Sequence, residues 1–262
     1  MRAATCIALV AIALAWIASA AFGLRALHPI SAESPPVPPP VPSPAPPPSP
    51  LPPADSDRAC LEGLRADHVD FSEGPPTKGI RTPVRVRGPL GAIVLQPRGR
   101  DRRQVASDGT LMDCALGRAL VEVAPLFDDA GIRTLVYSGT YQYRARRGGT
   151  RLSEHAHGLA IDVHVFVGRD GTAYDVRRDF ERGVGVWNTV TEVDACVGTP
   201  ITPAGRLLRQ LACRLRASSI LREVITADDN SDHDDHFHLE AFPDTATRAR
   251  AVLSPRIPVS DD

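Results

Sequence analysis

Apolar residues recur at helical intervals over residues 111–129 (LMDCALGRALVEVAPLFDD), the best-patterned helix in the chain. Pro125 is expected to distort its end, and Gly131 follows as a stop signal. The pattern then turns β-like. Residues 133–137 and 140–144 read as strands parted by Ser138-Gly139, and residues 159–167 are strongly β-prone. Arg169-Asp170-Gly171 makes a hairpin turn into residues 172–176. A second helix starts at Thr202-Pro203, with Thr as cap and Pro at the first helical position, and runs to about Ala217. Residues 219–226 and 236–241 are the last strands, joined by a polar loop, and residues 245–253 read as a short helix. Helices in front of a central, mostly antiparallel sheet make the expected fold class α+β.

The first 55 residues follow other rules. Arg2 precedes an uncharged stretch over residues 3–24 that includes Ala18-Ser19-Ala20, so residues 1–24 read as a secretory signal peptide. The same stretch approaches the length of a bilayer span, so a membrane-anchoring signal is the rival. Residues 25–55 form a spacer in which 13 of the 19 residues from Pro35 to Pro53 are proline. Few backbone donors and fixed φ favour polyproline II there, with a reach on the order of 60 Å. Residues 56–262 are then one exported domain, expected in the periplasm or cell envelope and held off a membrane or within a wall by the spacer.

Composition excludes more than it identifies. A formal net charge of −1 argues against a nucleic-acid partner. Arg outnumbers Lys 29 to 1, but the arginines are spread along the chain, and codon bias explains the excess without a site. Cys60, Cys114, Cys196 and Cys213 in an exported domain imply two disulfides. Cys60–Cys114 with Cys196–Cys213 is the expected pairing, since the second pair closes a short local loop. No C-x-x-C spacing supports a four-cysteine zinc site.

The histidines carry the chemistry. Six of the domain's seven fall in two windows, residues 153–164 (SEHAHGLAIDVH) and 232–240 (DHDDHFHLE). Two such clusters beside acids point to one metal site assembled from distant segments. Strand alternation sends His236 and His238 to one face and Phe237 to the other. Gly158 and Ala160 leave room for close approach, while Ile161 and Val163 point into the core opposite Asp162. Two nitrogen ligands, one carboxylate and a fourth position for water are the make-up of a catalytic zinc site. Five aspartates lie in the eight residues from Asp228 to Asp235. They read either as a field that favours a dication and raises nearby histidine pKa values, or as a solvated acidic loop. A calcium site there is disfavoured, because calcium prefers all-oxygen ligands.

Ser153-x-His155-x-x-Gly158-x-Ala160-x-Asp162, followed by His236-x-His238, resembles the signature of LAS-type zinc peptidases, the D-alanyl-D-alanine carboxypeptidases and murein endopeptidases. More closely, the chain resembles the bacterial extensin-like C-terminal domain family. The likeness lies in Cys114, the Ser138–Arg144 segment, SEHxxGxAID, Ala212-Cys213 and DHxDHFHL, over about Cys60 to Ala241. The resemblance implies a LAS-like fold, with His155, Asp162 and His238 as Zn2+ ligands. It implies His236 as base or orienting group, His233 as a second active-site histidine and Arg144 as the substrate-facing arginine. Asp235, three residues before the last ligand, is the rival base. His157 and His164 hold no ligand position in the family and read as flanking polar residues. Relatives carry Cys where this chain has Tyr143, which puts the disulfide pairing in question and makes Cys196, in what looks like an inserted stretch at 193–202, a substitute partner. The expected function is a zinc-dependent peptidase that cleaves peptidoglycan stem peptides or cross-links in the bacterial cell envelope. The alternative is a catalytically inactive, zinc-containing wall-binding or structural module.

Overall fold

The structure is a computed structural model that describes residues 55–99, 105, 107–184, 196 and 198–253. The expected signal segment and the proline-rich stretch up to residue 54 lie outside the described residues. Among the described residues no helix is long and apolar enough to cross a membrane.

The chain enters through helix α1 (Asp55–Ala66) and three short strands, β1 (Phe71–Glu73), β2 (Pro83–Val86) and β3 (Val94–Pro97). None of these is anticipated from the pattern, and the strands are too short to show a period. Strand β4 (Thr110–Asp113) pairs with β2, which pairs with β1, in a small antiparallel sheet. Helix α2 (Cys114–Asp129) begins directly after β4. Residues 111–113 are therefore strand, not the first turn of the expected helix. The reason is local: Asp113 caps α2 by accepting from Ala115 N–H at 2.8 Å, and its other oxygen accepts from Arg81 and Thr82 N–H. The helix continues past Pro125 to Asp129.

The main sheet runs β3-β5-β6-β9-β8, with β7 added to the far end of β6. Its other strands are β5 (Ile132–Tyr137), β6 (Ala160–Gly168), β7 (Ala173–Asp175), β8 (Leu221–Ile225) and β9 (Phe237–Ala241). Only β3–β5 is parallel. The fold is thus α+β with a mostly antiparallel sheet, as the pattern predicts. Residues 140–144 do not form a strand. Their backbone instead folds beside the first histidine window, where Gln142 N–H donates to the His155 carbonyl at 3.1 Å.

One face of this sheet makes the core. Leu116, Leu120, Val123 and Phe127 of α2 are fully buried, as are Leu135, Ile161, Val163, Phe166, Phe237 and Leu239 of the strands. Helix α3 (Val176–Asp179) follows β7, and helix α4 (Pro203–Ala217) packs Leu208, Leu211, Ala212 and Leu215 against α2 and β8. Thr202 caps α4 by accepting from Gly205 N–H at 3.0 Å, with Pro203 at the first turn as expected. A chain of rings (Phe127–Phe166–Phe237–Phe180) crosses the core at centroid spacings of 6.1, 5.1 and 5.6 Å. Helix α5 (Thr245–Leu253) closes the described chain.

The β5–β6 ladder contains two register shifts, one between Ile132 and Thr134 and one between Val136 and Tyr137. Val136 pairs Val165 and Tyr137 pairs Val163, so β6 carries one extra residue, His164. This bulge changes the parity of β6. Asp162 and His164 leave the core face, while Phe166 returns to it.

Both disulfides form as expected, Cys60–Cys114 joining α1 to the start of α2 and Cys196–Cys213 joining the preceding stretch to α4. With Tyr at position 143, Cys196 is the partner of Cys213. The Cys60–Cys114 bridge closes a loop of 54 residues, for which chain entropy gives about 4 kcal/mol. Replacing both cysteines with alanine is expected to cost about 3–4 kcal/mol, read as a lower urea midpoint.

Candidate metal centre

Three segments bring the histidine windows together. Residues Glu154–His157 form a single 3-10 turn whose entry is capped by Ser153, which accepts from His155 N–H. The turn ends at Gly158 with φ 65°, where a Cβ would lie 2.8 Å from the Asp113 backbone nitrogen. Only glycine fits. The turn hands the chain to β6, which pairs with β9 so that Asp162 lies directly across from His238 and Ala160 from Glu240.

The side chains converge accordingly. His155 Nε2–H donates to Asp162 Oδ1 at 3.1 Å, His238 Nδ1–H donates to the same oxygen at 2.8 Å, and the two nitrogens lie 3.3 Å apart. His155 and His238 are 4% and 7% exposed. Four-coordinate zinc with bonds of about 2.0–2.1 Å spaces its ligands about 3.3 Å apart, so these two nitrogens and one oxygen fit that ion in number, type and spacing. They are the three residues that the family resemblance implies as ligands.

Charge at the site follows from packing. Burial disfavours the Asp162 carboxylate, but the bonds from His155 and His238 outweigh it and hold its pKa well below the usual range. Burial likewise disfavours a charged His238, yet its bonds to Asp162 and Glu240 lift its pKa to about 9. His233 goes the other way: burial and the neighbouring His238 and His236 push it down to about 4, so it is neutral at pH 7.

The remaining expected residues surround this trio unequally. His236 Nε2 lies 3.5 Å from Asp162 Oδ1, and its Nδ1–H donates to Asp235 Oδ1 at 2.8 Å. Asp235 also pairs with Arg177 at 3.2 Å through its other oxygen, so both carboxylate oxygens are engaged. The His233 ring sits 5.0 Å from that of His236 and 5.4 Å from that of His238. Arg144 is exposed beside the His155 turn. Its Nε–H donates to Gln142 at 2.9 Å, and it pairs with no carboxylate among the described residues. His157 stays apart, with Nδ1–H donating to the Gly79 carbonyl at 3.0 Å.

His164 is more than the flanking polar residue expected from sequence. It is 7% exposed, its Nδ1–H donates to the Asp235 carbonyl at 2.9 Å, and its Nε2 accepts from Ser138 Oγ–H at 2.8 Å. His164, Asp235 and His236 are close enough to frame an ion. With both ring nitrogens of His164 already bonded, the group reads instead as a brace that sets the Asp235–His236 segment. Alternation along β6 puts His164 on the same face as Asp162, opposite Ile161 and Val163, and so aims the ring there.

The acidic loop is not a field of free aspartates. Asp228 is buried against Arg209, Asp229 pairs with Arg216 and Asp232 with Arg147, while Asp234 and Asp235 share Arg177. The solvated reading holds for its middle, where Asp229 and Asp232 are exposed, and fails at Asp228, whose side chain is buried. Arg147, Arg177, Arg209 and Arg216 hold the segment that leads into β9.

Residues 58–250 match the model of the extensin-like protein C-terminus family, and the chain belongs to that family. No curated protein and no solved structure matches the chain significantly.

Proton competition would make any metal binding at the trio pH-dependent. With its pKa at about 9, His238 is protonated at neutral pH in the metal-free protein, and Nδ1 must lose that proton to serve as a ligand. Apparent zinc affinity is therefore expected to rise about tenfold per pH unit between about pH 6 and 8. Chelator competition at about pH 6, 7 and 8 reads this directly, and a flat profile would contradict it.

Proposed function

We propose that this chain is a zinc-dependent peptidase of the LAS type, exported to the bacterial cell envelope, that acts on peptidoglycan stem peptides or cross-links. The observation that carries the reading is the convergence of His155 Nε2, Asp162 Oδ1 and His238 Nδ1 within 3.3 Å of one another, with His236 Nε2 on the rim.

When bound, zinc supplies Lewis acidity, lowering the pKa of a coordinated water toward about 7 and polarising a carbonyl. The chain's own residues do the rest. Asp235 accepts the Nδ1–H of His236, which selects the tautomer whose Nε2 carries a lone pair toward the trio. His236 then takes a proton from water at Nε2 and returns it to the leaving amine. Of the two rival bases, His236 is favoured, because the Asp235 carboxylate is engaged by His236 and Arg177. His233, neutral by virtue of its lowered pKa, is a hydrogen-bonding partner at the same rim rather than a second cation. Arg144, with no carboxylate partner among the described residues, offers a charge-assisted bond to a substrate carboxylate or developing oxyanion.

The inactive wall-binding module is the outcome to exclude. Purified protein is expected to hold one zinc and to release peptide from muropeptides, read by mass. His155→Ala is expected to lose the metal and His157→Ala to keep it. His236→Ala is expected to keep zinc while kcat falls roughly 10²–10⁴-fold, and Arg144→Ala to lower kcat/KM by roughly 10–100-fold. Bound zinc with no cleavage of any cross-linked or terminal peptide would refute the peptidase reading and leave the structural module.

A further inference from the structure

We propose that Glu240 is a positioning residue of the metal centre, whose carboxylate fixes the ring orientation and tautomer in which His238 presents Nδ1 to His155 and Asp162. The proposal rests on the zinc reading of the trio but not on any peptidase activity.

Along β9, Phe237, Leu239 and Ala241 belong to the core, so His238 and Glu240 share the opposite face, two residues apart. Glu240 lies across from Ala160 on β6, whose small side chain leaves the glutamate space to fold back toward His238. The result is a bond from His238 Nε2–H to Glu240 Oε1 at 3.0 Å, made by the ring nitrogen that does not face Asp162. An acceptor carboxylate there demands a proton on Nε2 and so leaves the Nδ1 lone pair for a metal.

Glu240 is 2% exposed, and a carboxylate so buried is costly unless compensated. Two guanidiniums compensate it. Arg146 lies 3.5 Å from Oε1 and Arg222 3.7 Å from Oε2, and both also reach Glu154, at 3.3 and 3.0 Å. Glu223, across from Glu240 on β8, brings a third carboxylate against the same two arginines. The bond to His238 is the one that connects this ionic cluster to the trio.

The full-length protein and its Glu240→Gln, Glu240→Ala and Glu240→Asp variants would be titrated with zinc against a competing chelator, with urea unfolding of the metal-free forms in parallel. Glu240→Ala is expected to weaken zinc binding about 10–100-fold. Glu240→Gln, which keeps the shape and an acceptor but not the charge, is expected to fall between wild type and alanine. Glu240→Asp is expected to recover part of the loss, since the charge returns on a shorter arm. Should the alanine variant not fold, the near-isosteric glutamine variant alone decides the matter. Unchanged zinc affinity in folded Glu240→Gln, with only a lower urea midpoint, would make Glu240 a structural ion-pair partner and overturn the proposal. A wild-type protein that binds no zinc would overturn it together with the metal reading. Muropeptides left intact by a protein that binds zinc would bear on the proposed function alone.

Discussion

The centre depends on one pairing, the antiparallel register of β6 with β9. Asp162 and His238 are direct cross-strand partners, so the ladder itself sets the distance between their side chains. A slip of one residue would bring Ile161 or Val163 to face the site and send Asp162 into the core. The register is enforced from behind, where Ile161, Val163, Phe237 and Leu239 are fully buried and cannot exchange faces with the polar set. Hydrophobic burial on one side of the sheet thus pays for the geometry on the other.

What the ladder does not provide is the third donor. His155 arrives on a separate turn, held by the Ser153 cap at its start and by Gly158, packed against the Asp113 backbone, at its end. Asp113 is also the cap of α2, so the helix that covers the core and the turn that carries His155 are anchored at the same place. The centre is therefore not a loop feature laid over a finished fold. Its parts are the fold's own caps and ladder positions.

Charge compensation is the second organising theme. The site gathers acids that repel one another, and the chain answers with arginines from distant elements: Arg147 to Asp232, Arg177 to Asp235, Arg222 and Arg146 to Glu240 and Glu154. Arginine suits this role because its planar, permanently charged fork can serve two carboxylates at once. Around the trio the arrangement leaves Asp162 and His238 as the strongly coupled pair, with His233 and His236 at the rim.

Much of this was legible in the chain. The helical period over 111–129, the Thr202-Pro203 start and the β-prone runs around Asp162 and His238 all correspond to elements, because local pattern and burial agree there. The two histidine windows announced the trio, since imidazoles and carboxylates have little reason to cluster otherwise, and the cysteine spacing pointed to the pairing found. The failures share a cause. Residues 111–113 and 140–144 carry the propensity of one structure and adopt another because their backbone groups find partners elsewhere, in β2 and in the His155 turn. The bulge at His164, the arginine partners of the acidic loop and the contact of Glu240 with His238 are likewise matters of register and three-dimensional proximity. The sequence by itself determined which donor atoms this protein carries and that Asp162 and His238 lie on strands. Only the tertiary structure decided which of them meet and which histidine nitrogen faces inward, because those depend on strand register and on side chains that approach from as many as 83 positions away.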